Sequence, residues 1–188
     1  MAETSELEDL KKDHRGLRRR PLFTPLAIFF ATILAVLVVG AWLASAWGSS
    51  TIVLVRHAEK LAQDPDPGLS AEGQARAERL ARMLGGANLK AIYVSEARRT
   101  LETAAPVAEA AGVEARRIPA ADLQQLLQRL KNRHRGDVVL VVGHSNTVPA
   151  IAAGLGAPIE AIDESEYSGL WIVSYSKLRG TRLLALRY

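Results

Sequence analysis

The sequence predicts an α/β domain, a mostly parallel sheet with helices on both faces, preceded by one N-terminal transmembrane helix. Three observations carry this. Short β-branched apolar runs at 51–55 (TIVLV), 91–95 (AIYVS) and 138–142 (VVLVV) read as strands buried on both faces. Stretches of helical periodicity separate them, and strands alternating with helices imply parallel pairing. Residues 22–47 carry no charged side chain at all.

Bulk composition agrees with one ordinary domain plus an accessory segment. The 188 residues are 48% apolar and 23% charged, close to globular averages. The formal charge of +4 is modest and spread among acids, without the basic stripe and interleaved aromatics of a nucleic-acid binder. Cysteine is absent, which excludes a disulfide framework, thiolate metal sites and any mechanism with a cysteine nucleophile.

Three segments follow: a basic cytoplasmic tail (1–21), a transmembrane anchor (22–47) and a compact domain (48–188). As a helix, 22–47 would measure about 39 Å, against a hydrocarbon core of about 30 Å. The preceding KKDHRGLRRR (11–20), which includes His14, is strongly basic, whereas only Arg56 and Lys60 follow soon after the span. The positive-inside bias therefore puts the N-terminus in the cytoplasm and the domain outside it, on the periplasmic side. Trp42 and Trp47 stand where an interfacial belt would be. The alternative is a cleaved signal ending at Ala44-Ser45-Ala46, although the apolar run exceeds the usual signal core of about 7–15 residues.

Within the domain, strand 51–55 leads through the loop LAQDPDPG to Ser70, an N-cap for helix 71–84, which Gly85-Gly86 stops. Strand 91–95 precedes helix 98–111, with a kink expected at Pro106 and an end at Gly112. Helix 121–133 places Leu123, Leu126, Leu127 and Leu130 on one face. Strand 138–142 leads to a short helix over 147–154. Runs 170–175 and 181–187 read as a closing hairpin around Arg179-Gly180.

In such folds ligands bind beyond the carboxyl ends of the strands. The first strand delivers Arg56-His57-Ala58-Glu59, the second Ser95 and then Arg98-Arg99, and the third Gly143-His144-Ser145-Asn146. Two histidines and at least two arginines thus converge on one rim. Spacing alone shows a cationic, phosphate-sized site.

The motifs also resemble a known family. LVRHAEK (54–60) resembles the Arg-His-Gly signature of the histidine phosphatases, a superfamily that includes the phosphoglycerate mutases and the short phosphohistidine phosphatases. DPGLSAEGQARA (66–77) is similar to the Leu-Ser/Thr-x-x-Gly segment that follows it. SEARRTLETA (95–104) resembles Ser-Pro-x-x-Arg-Ala-x-x-Thr-Ala, and VVGHSNTVPA resembles the strand and loop of the second histidine. Ala58 stands for the usual Gly and Glu96 for Pro. The resemblance implies a phosphoglycerate mutase-like fold and a phosphatase working through a phosphohistidine intermediate. His57 is then the nucleophile, Arg56 and Arg99 (not Arg98) hold the phosphoryl oxygens, and His144 hydrogen-bonds the same group.

Those residue types suit the chemistry. Phosphoryl transfer is largely positioning and electrostatics, guanidiniums match the oxygens in fork geometry, and a neutral histidine attacks through one nitrogen while a backbone carbonyl holds the other. No metal and no cofactor are expected. Substrate-binding candidates are Glu59, which would orient Arg56 or the loop or else form a surface ion pair, and Ser145 and Asn146, with helix capping by Asn146 or Thr147 as the alternative. Lys60 would widen the positive mouth. His134 is expected to be exposed near a helix end. General-acid candidates are Asp122, otherwise a helix-start charge, and Asp163, Glu164 and Glu166. The substrate is expected to be a small phosphorylated molecule or a phosphoprotein, with no large cap insertion to shape a pocket. The competing class is a non-catalytic phosphoryl-binding or scaffold module at the membrane. A serine hydrolase fits poorly because Thr147 occupies the last glycine position of its elbow, and a metallohydrolase because Arg56 and Arg99 would repel the cation.

Overall fold

The structure, a computed structural model, describes residues 23–46, 48–62, 65–176 and 180–188. The chain divides into two units, Met1–Leu43 and Ala44–Tyr188. In the first, α1 (Phe23–Ala46) is the only described element. Its stretch Pro25–Leu43 is long and apolar enough to cross a membrane, and side chains such as Phe29, Leu34 and Val36 are exposed, so it is no core helix. The basic tail with His14, and Trp47, lie outside the described residues.

The second unit is one mixed six-stranded sheet with helices on both faces. Its elements are β1 (Ser50–Arg56), α2 (Ala71–Leu84), β2 (Leu89–Val94), α3 (Arg98–Ala111), β3 (Ala115–Arg117), α4 (Leu123–Arg133), β4 (Val138–Gly143), α5 (Thr147–Gly154), β5 (Gly169–Ser176) and β6 (Gly180–Arg187). The spatial order is β3-β2-β4-β1-β5-β6. β3, β2, β4 and β1 run parallel, and β5 and β6 are antiparallel.

Alternation along the central strands builds two cores. Ile52 and Leu54 of β1, Val139 and Val141 of β4, and Ala91 and Tyr93 of β2 face α4 and α5, meeting Leu126, Leu127, Leu130, Val148 and Ile151. Val53, Val55, Leu140, Val142, Ile92 and Val94 face α2 and α3, meeting Leu80, Ala81, Leu84, Ala104 and Val107. With the side-chain period of two, a strand apolar at every position must be covered on both sides, which is why these runs sit in the middle of the sheet.

Local signals explain the helix boundaries. Ser70 caps α2, its hydroxyl accepting from Gly73 N at 3.1 Å. α3 ends at Gly112, whose φ of 64° suits a left-handed C-cap. Gly73 is required for packing: a Cβ there would lie 2.1 Å from the Glu59 carbonyl oxygen, so the start of α2 docks directly on the loop after β1.

Three readings need correction. β3 went unread because its short run (ARR) lies mostly exposed at the sheet edge and has no apolar alternation. His134 is not exposed: only 6% of its surface is accessible. It closes α4 with its ring against Tyr93, whose hydroxyl lies 2.8 Å from Nε2, while Asp137 Oδ2 lies 3.0 Å from Nδ1. A carboxylate only accepts, so Nδ1 donates to Asp137. The Ser50 hydroxyl donates to the His134 carbonyl. The helix expected from residue 121 begins at Leu123 with Asp122 as N-cap, and the hairpin apex at Arg179 lies outside the described residues.

Candidate active site

β1 and β4 are parallel neighbours, with Arg56 paired to Gly143. The residues that follow them, His57 and His144, are therefore thrown onto the same edge of the sheet, and His57 N donates to the Gly143 carbonyl at 2.9 Å. Their ring centroids lie 5.4 Å apart. β2, on the other side of β4, ends beside them and contributes Ser95, and the first turn of α3 contributes Arg99.

The His57 ring is oriented by its own loop. Nδ1 lies 2.8 Å from the Ala58 carbonyl, an oxygen that can only accept, so the proton sits on Nδ1 and the Nε2 lone pair is left to act. Burial pushes the His57 pKa down to about 4. The Ala58 hydrogen bond opposes that shift, and the positive charges of Arg56 and Arg99 reinforce it. The ring is neutral at pH 7. The loop is anchored in turn by Thr103, whose hydroxyl accepts from Ala58 N at 2.9 Å and donates to the Arg99 carbonyl at 2.7 Å. The Ala58 methyl, where the family pattern has glycine, packs with Leu69 and Ala77.

His144 is held differently. Nε2 lies 2.9 Å from Ser95 Oγ, and Nδ1 lies 3.4 Å from Arg99 Nη2. Burial first, and then the Arg99 charge, lower its pKa. Ser95 itself is fixed by Thr100 at 2.9 Å, and Thr147 Oγ1 accepts from His144 N at 2.8 Å.

The two arginines share a telling feature. Among the described residues, the buried side-chain polar atoms without a protein partner are Arg56 Nε, Arg99 Nε and the Tyr188 hydroxyl. Buried donors are normally satisfied, so these two guanidinium nitrogens stand out beside two histidines whose pKa values are lowered. Arg56 is 3% exposed. Its Nη1 donates to the carbonyls of Asp163 and Glu164, each at 2.8 Å, and of Glu166 at 3.1 Å. The Tyr167 ring lies 4.3 Å from its guanidinium carbon. Arg99 Nη1 is 3.8 Å from Asp66 Oδ1.

The residues named from sequence divide accordingly. Arg56, His57, Arg99 and His144 come together. Arg98 instead pairs with Glu102 at 2.6 Å, which agrees with the register that makes Arg99 the inward residue. Glu59 does not reach Arg56: it forms a bidentate pair with Arg76 at 2.6–2.9 Å, with both side chains largely buried. It therefore orients the loop against α2. Burial alone would raise its pKa, but Arg76 outweighs that and lowers it. Ser145 is half-buried and Asn146 exposed at the start of α5, where Asn146 makes no capping bond with its side chain. Lys60 is exposed and pairs through its backbone with Leu69.

The carboxylates of Asp122, Asp163 and Glu166 are engaged elsewhere. Asp122 Oδ1 caps α4 by accepting from Gln125 N at 3.3 Å, and Oδ2 accepts from the Gln125 amide at 2.9 Å. A cavity of about 30 Å³ lies between Asp122 and Ser95, lined otherwise mostly by apolar residues such as Leu123, Leu126 and Ile151. Asp163 and Glu164 reach the site through carbonyls. Hydrogen bonds from Ser165 hold the exposed Asp163 carboxyl below its usual range, and bonds from Ser168 do the same for Glu166. Glu96, in the family's proline position, accepts from Ala120 N at 2.9 Å, and backbone hydrogen bonds lower its pKa. Thr103, Arg76 and Tyr167 were missed. Thr103 was legible as the threonine four residues after Arg99, whereas Tyr167 had no local signal.

Residues 52–122 match the family model of the histidine phosphatase superfamily, branch 1. Over that segment the chain is similar to the histidine phosphatase superfamily. Among solved structures, the protein histidine phosphatase SixA bound to tungstate is 19% identical over 73% of this chain and 96% of its own, with a TM-score of 0.61. SixA of Agrobacterium tumefaciens is 23% identical over 73% and 97%, with a TM-score of 0.53. The phosphoserine phosphatase of Entamoeba histolytica, in complex with 3-phosphoglyceric acid, is 17% identical over 74% and 97%, with a TM-score of 0.58. No curated protein matches the chain. At these identities the neighbours share the fold with this chain. The matched segment contains Arg56, His57 and Arg99 and stops before His144.

Proposed function

We propose that the chain is a membrane-anchored phosphatase acting through a phosphohistidine on His57, with its catalytic domain on the periplasmic side. The observation that carries the chemistry is the pair of buried, unpartnered Nε donors of Arg56 and Arg99, two charges close enough to help hold His57 neutral. Both arginines bind the equatorial oxygens of the phosphoryl group of a small phosphorylated molecule or a phosphoprotein. The Nε2 lone pair of His57 attacks phosphorus as the bond to the leaving group breaks, and the leaving group departs with its electron pair. His144 exchanges its Nε2–H contact with Ser95 Oγ for a hydrogen bond to the transferring group. Water then attacks phosphorus, the P–N bond breaks, its electron pair returns to Nε2, and phosphate leaves. The guanidiniums supply the positive field that a metal would otherwise provide, so the reaction is metal-independent.

The full chain in detergent is expected to hydrolyse p-nitrophenyl phosphate, in EDTA as well as without it. His57→Ala is expected to lose turnover and the acid-labile phosphoenzyme together. A wild-type rate in that variant refutes the reading, and loss of activity in EDTA with recovery on adding one divalent metal refutes metal independence. The membrane placement rests on the apolar helix α1 and the basic stretch before it. A reporter that is active only outside the cytoplasm, fused after Tyr188, is expected to be active with the protein retained in the membrane fraction at high salt. A soluble form beginning at Trp47 would identify a cleaved signal instead.

A further inference from the structure

We propose that Tyr167 is a positioning residue for Arg56, and that two consecutive acid-x-Ser turns hold it in place. The inference rests on the reading of Arg56 as a phosphate ligand. The segment Asp163-Glu164-Ser165-Glu166-Tyr167-Ser168 repeats one local device. Asp163 Oδ1 accepts from Ser165 N at 2.8 Å and from the Ser165 hydroxyl at 2.5 Å. Glu166 Oε1 accepts from Ser168 N at 2.7 Å and from the Ser168 hydroxyl at 2.5 Å. A side chain that bonds its own backbone two residues on fixes a turn locally.

The turns do two things to Arg56. They gather three carbonyls on Nη1, a nitrogen with two hydrogens, so that nitrogen is fully committed to the loop. They also lay the Tyr167 ring against the guanidinium at 4.3 Å, and the same ring lies 6.0 Å from that of His57 at 55°. Carbonyls fix one corner of the guanidinium and the ring restrains its face. The edge carrying the unpartnered Nε is left as the one that meets an oxyanion. Stacking of this kind needs an aromatic face and no hydroxyl. Tyr167 therefore acts through Arg56, and the acidic look of the segment conceals a carbonyl clamp.

The test is a double-mutant cycle read by titrating the full chain in detergent with orthovanadate, alongside p-nitrophenyl phosphate kinetics and thermal melting. Tyr167→Leu is expected to weaken orthovanadate binding about 10-fold and raise KM similarly, the scale of a desolvated cation–π contact, while Tm holds. Tyr167→Phe should bind within about 2-fold of wild type. In an Arg56→Ala background, Tyr167→Leu should cost less than about 2-fold, because residues acting through one another are non-additive. Ser168→Ala, which leaves the ring but loosens its turn, should weaken binding in the same direction and serves if Tyr167→Leu is poorly folded. Wild-type binding by both Tyr167→Leu and Ser168→Ala overturns the proposal. So does an equal loss in the Arg56→Ala background, or a Tyr167→Phe defect matching Tyr167→Leu. If the wild type binds orthovanadate but turns nothing over, the phosphatase reading fails while the binding cycle still decides this one.

Discussion

Arg99 fixes the tautomer of His144. Their closest nitrogens, Nη2 and Nδ1, are 3.4 Å apart, and a guanidinium has hydrogens to give and no lone pair to offer. Nδ1 of His144 must therefore accept, the proton resides on Nε2, and Ser95 Oγ at 2.9 Å receives it. A lysine at position 99 would present one ammonium and no second donor edge.

Arg99→Ala should therefore reduce kcat/KM on p-nitrophenyl phosphate by roughly 10²–10³-fold, as for loss of one preorganised charge-stabilising donor. Arg98→Ala, which breaks a partly exposed pair with Glu102, should change it by less than about 3-fold, since such pairs contribute little. Steady-state rates of the two variants settle the register, and a larger defect in Arg98→Ala reverses it.

The pH dependence follows from His57. Its folded pKa, about 4, lies below the usual 6.5, and the attacking form is the neutral one. The acid limb of kcat/KM should fall near pH 4 and leave activity flat through pH 6.5. Stability moves with the same group. Between pH 6.5 and 4 the unfolded chain binds the extra proton, so stability falls as pH drops through that window and levels off below it. His57→Gln should flatten this part of the denaturation profile. An acid limb at pH 6.5 would contradict the burial argument.

The placement of the carboxylates bears on the leaving group. Asp122 caps α4, and Asp163, Glu166 and Glu96 are all held toward the ionised form. Asp122, Asp163 and Glu166 already accept local hydrogen bonds, and an alcohol leaves poorly without a proton from an acid. Rates should fall steeply as leaving-group pKa rises, so that phosphohistidine or p-nitrophenyl phosphate far exceeds glycerol or sugar phosphates. A flat series that Asp122→Asn alone abolishes would make Asp122 the acid after all.

Gly73 links stability to the site. A methyl there meets the Glu59 carbonyl at 2.1 Å, so α2 must shift away from the loop carrying His57. Gly73→Ala should destabilise by roughly 1–3 kcal/mol, the usual cost of overpacking, and should lower kcat with it. Chemical denaturation and kinetics on the same preparation test both effects.

Much of this was present in the chain itself. Apolar runs at every position determined the central strands, since only a two-sided core accommodates them. Ser70 and Gly112 set helix ends through local hydrogen bonds and backbone freedom. Four ordered motifs placed Arg56, His57, Arg99 and His144 at strand ends, and the rule for parallel sheets brought those ends together. The tertiary structure alone decided what these residues touch. Glu59 turned to Arg76 rather than Arg56, and His134 turned inward to Tyr93, because each found a partner brought near by folding rather than by its immediate neighbours. Tyr167 reached Arg56 across more than half of the domain by the same route. Periodicity and capping act within a few residues and can be read along the chain, whereas a hydrogen bond between distant segments depends on how the whole sheet is wound.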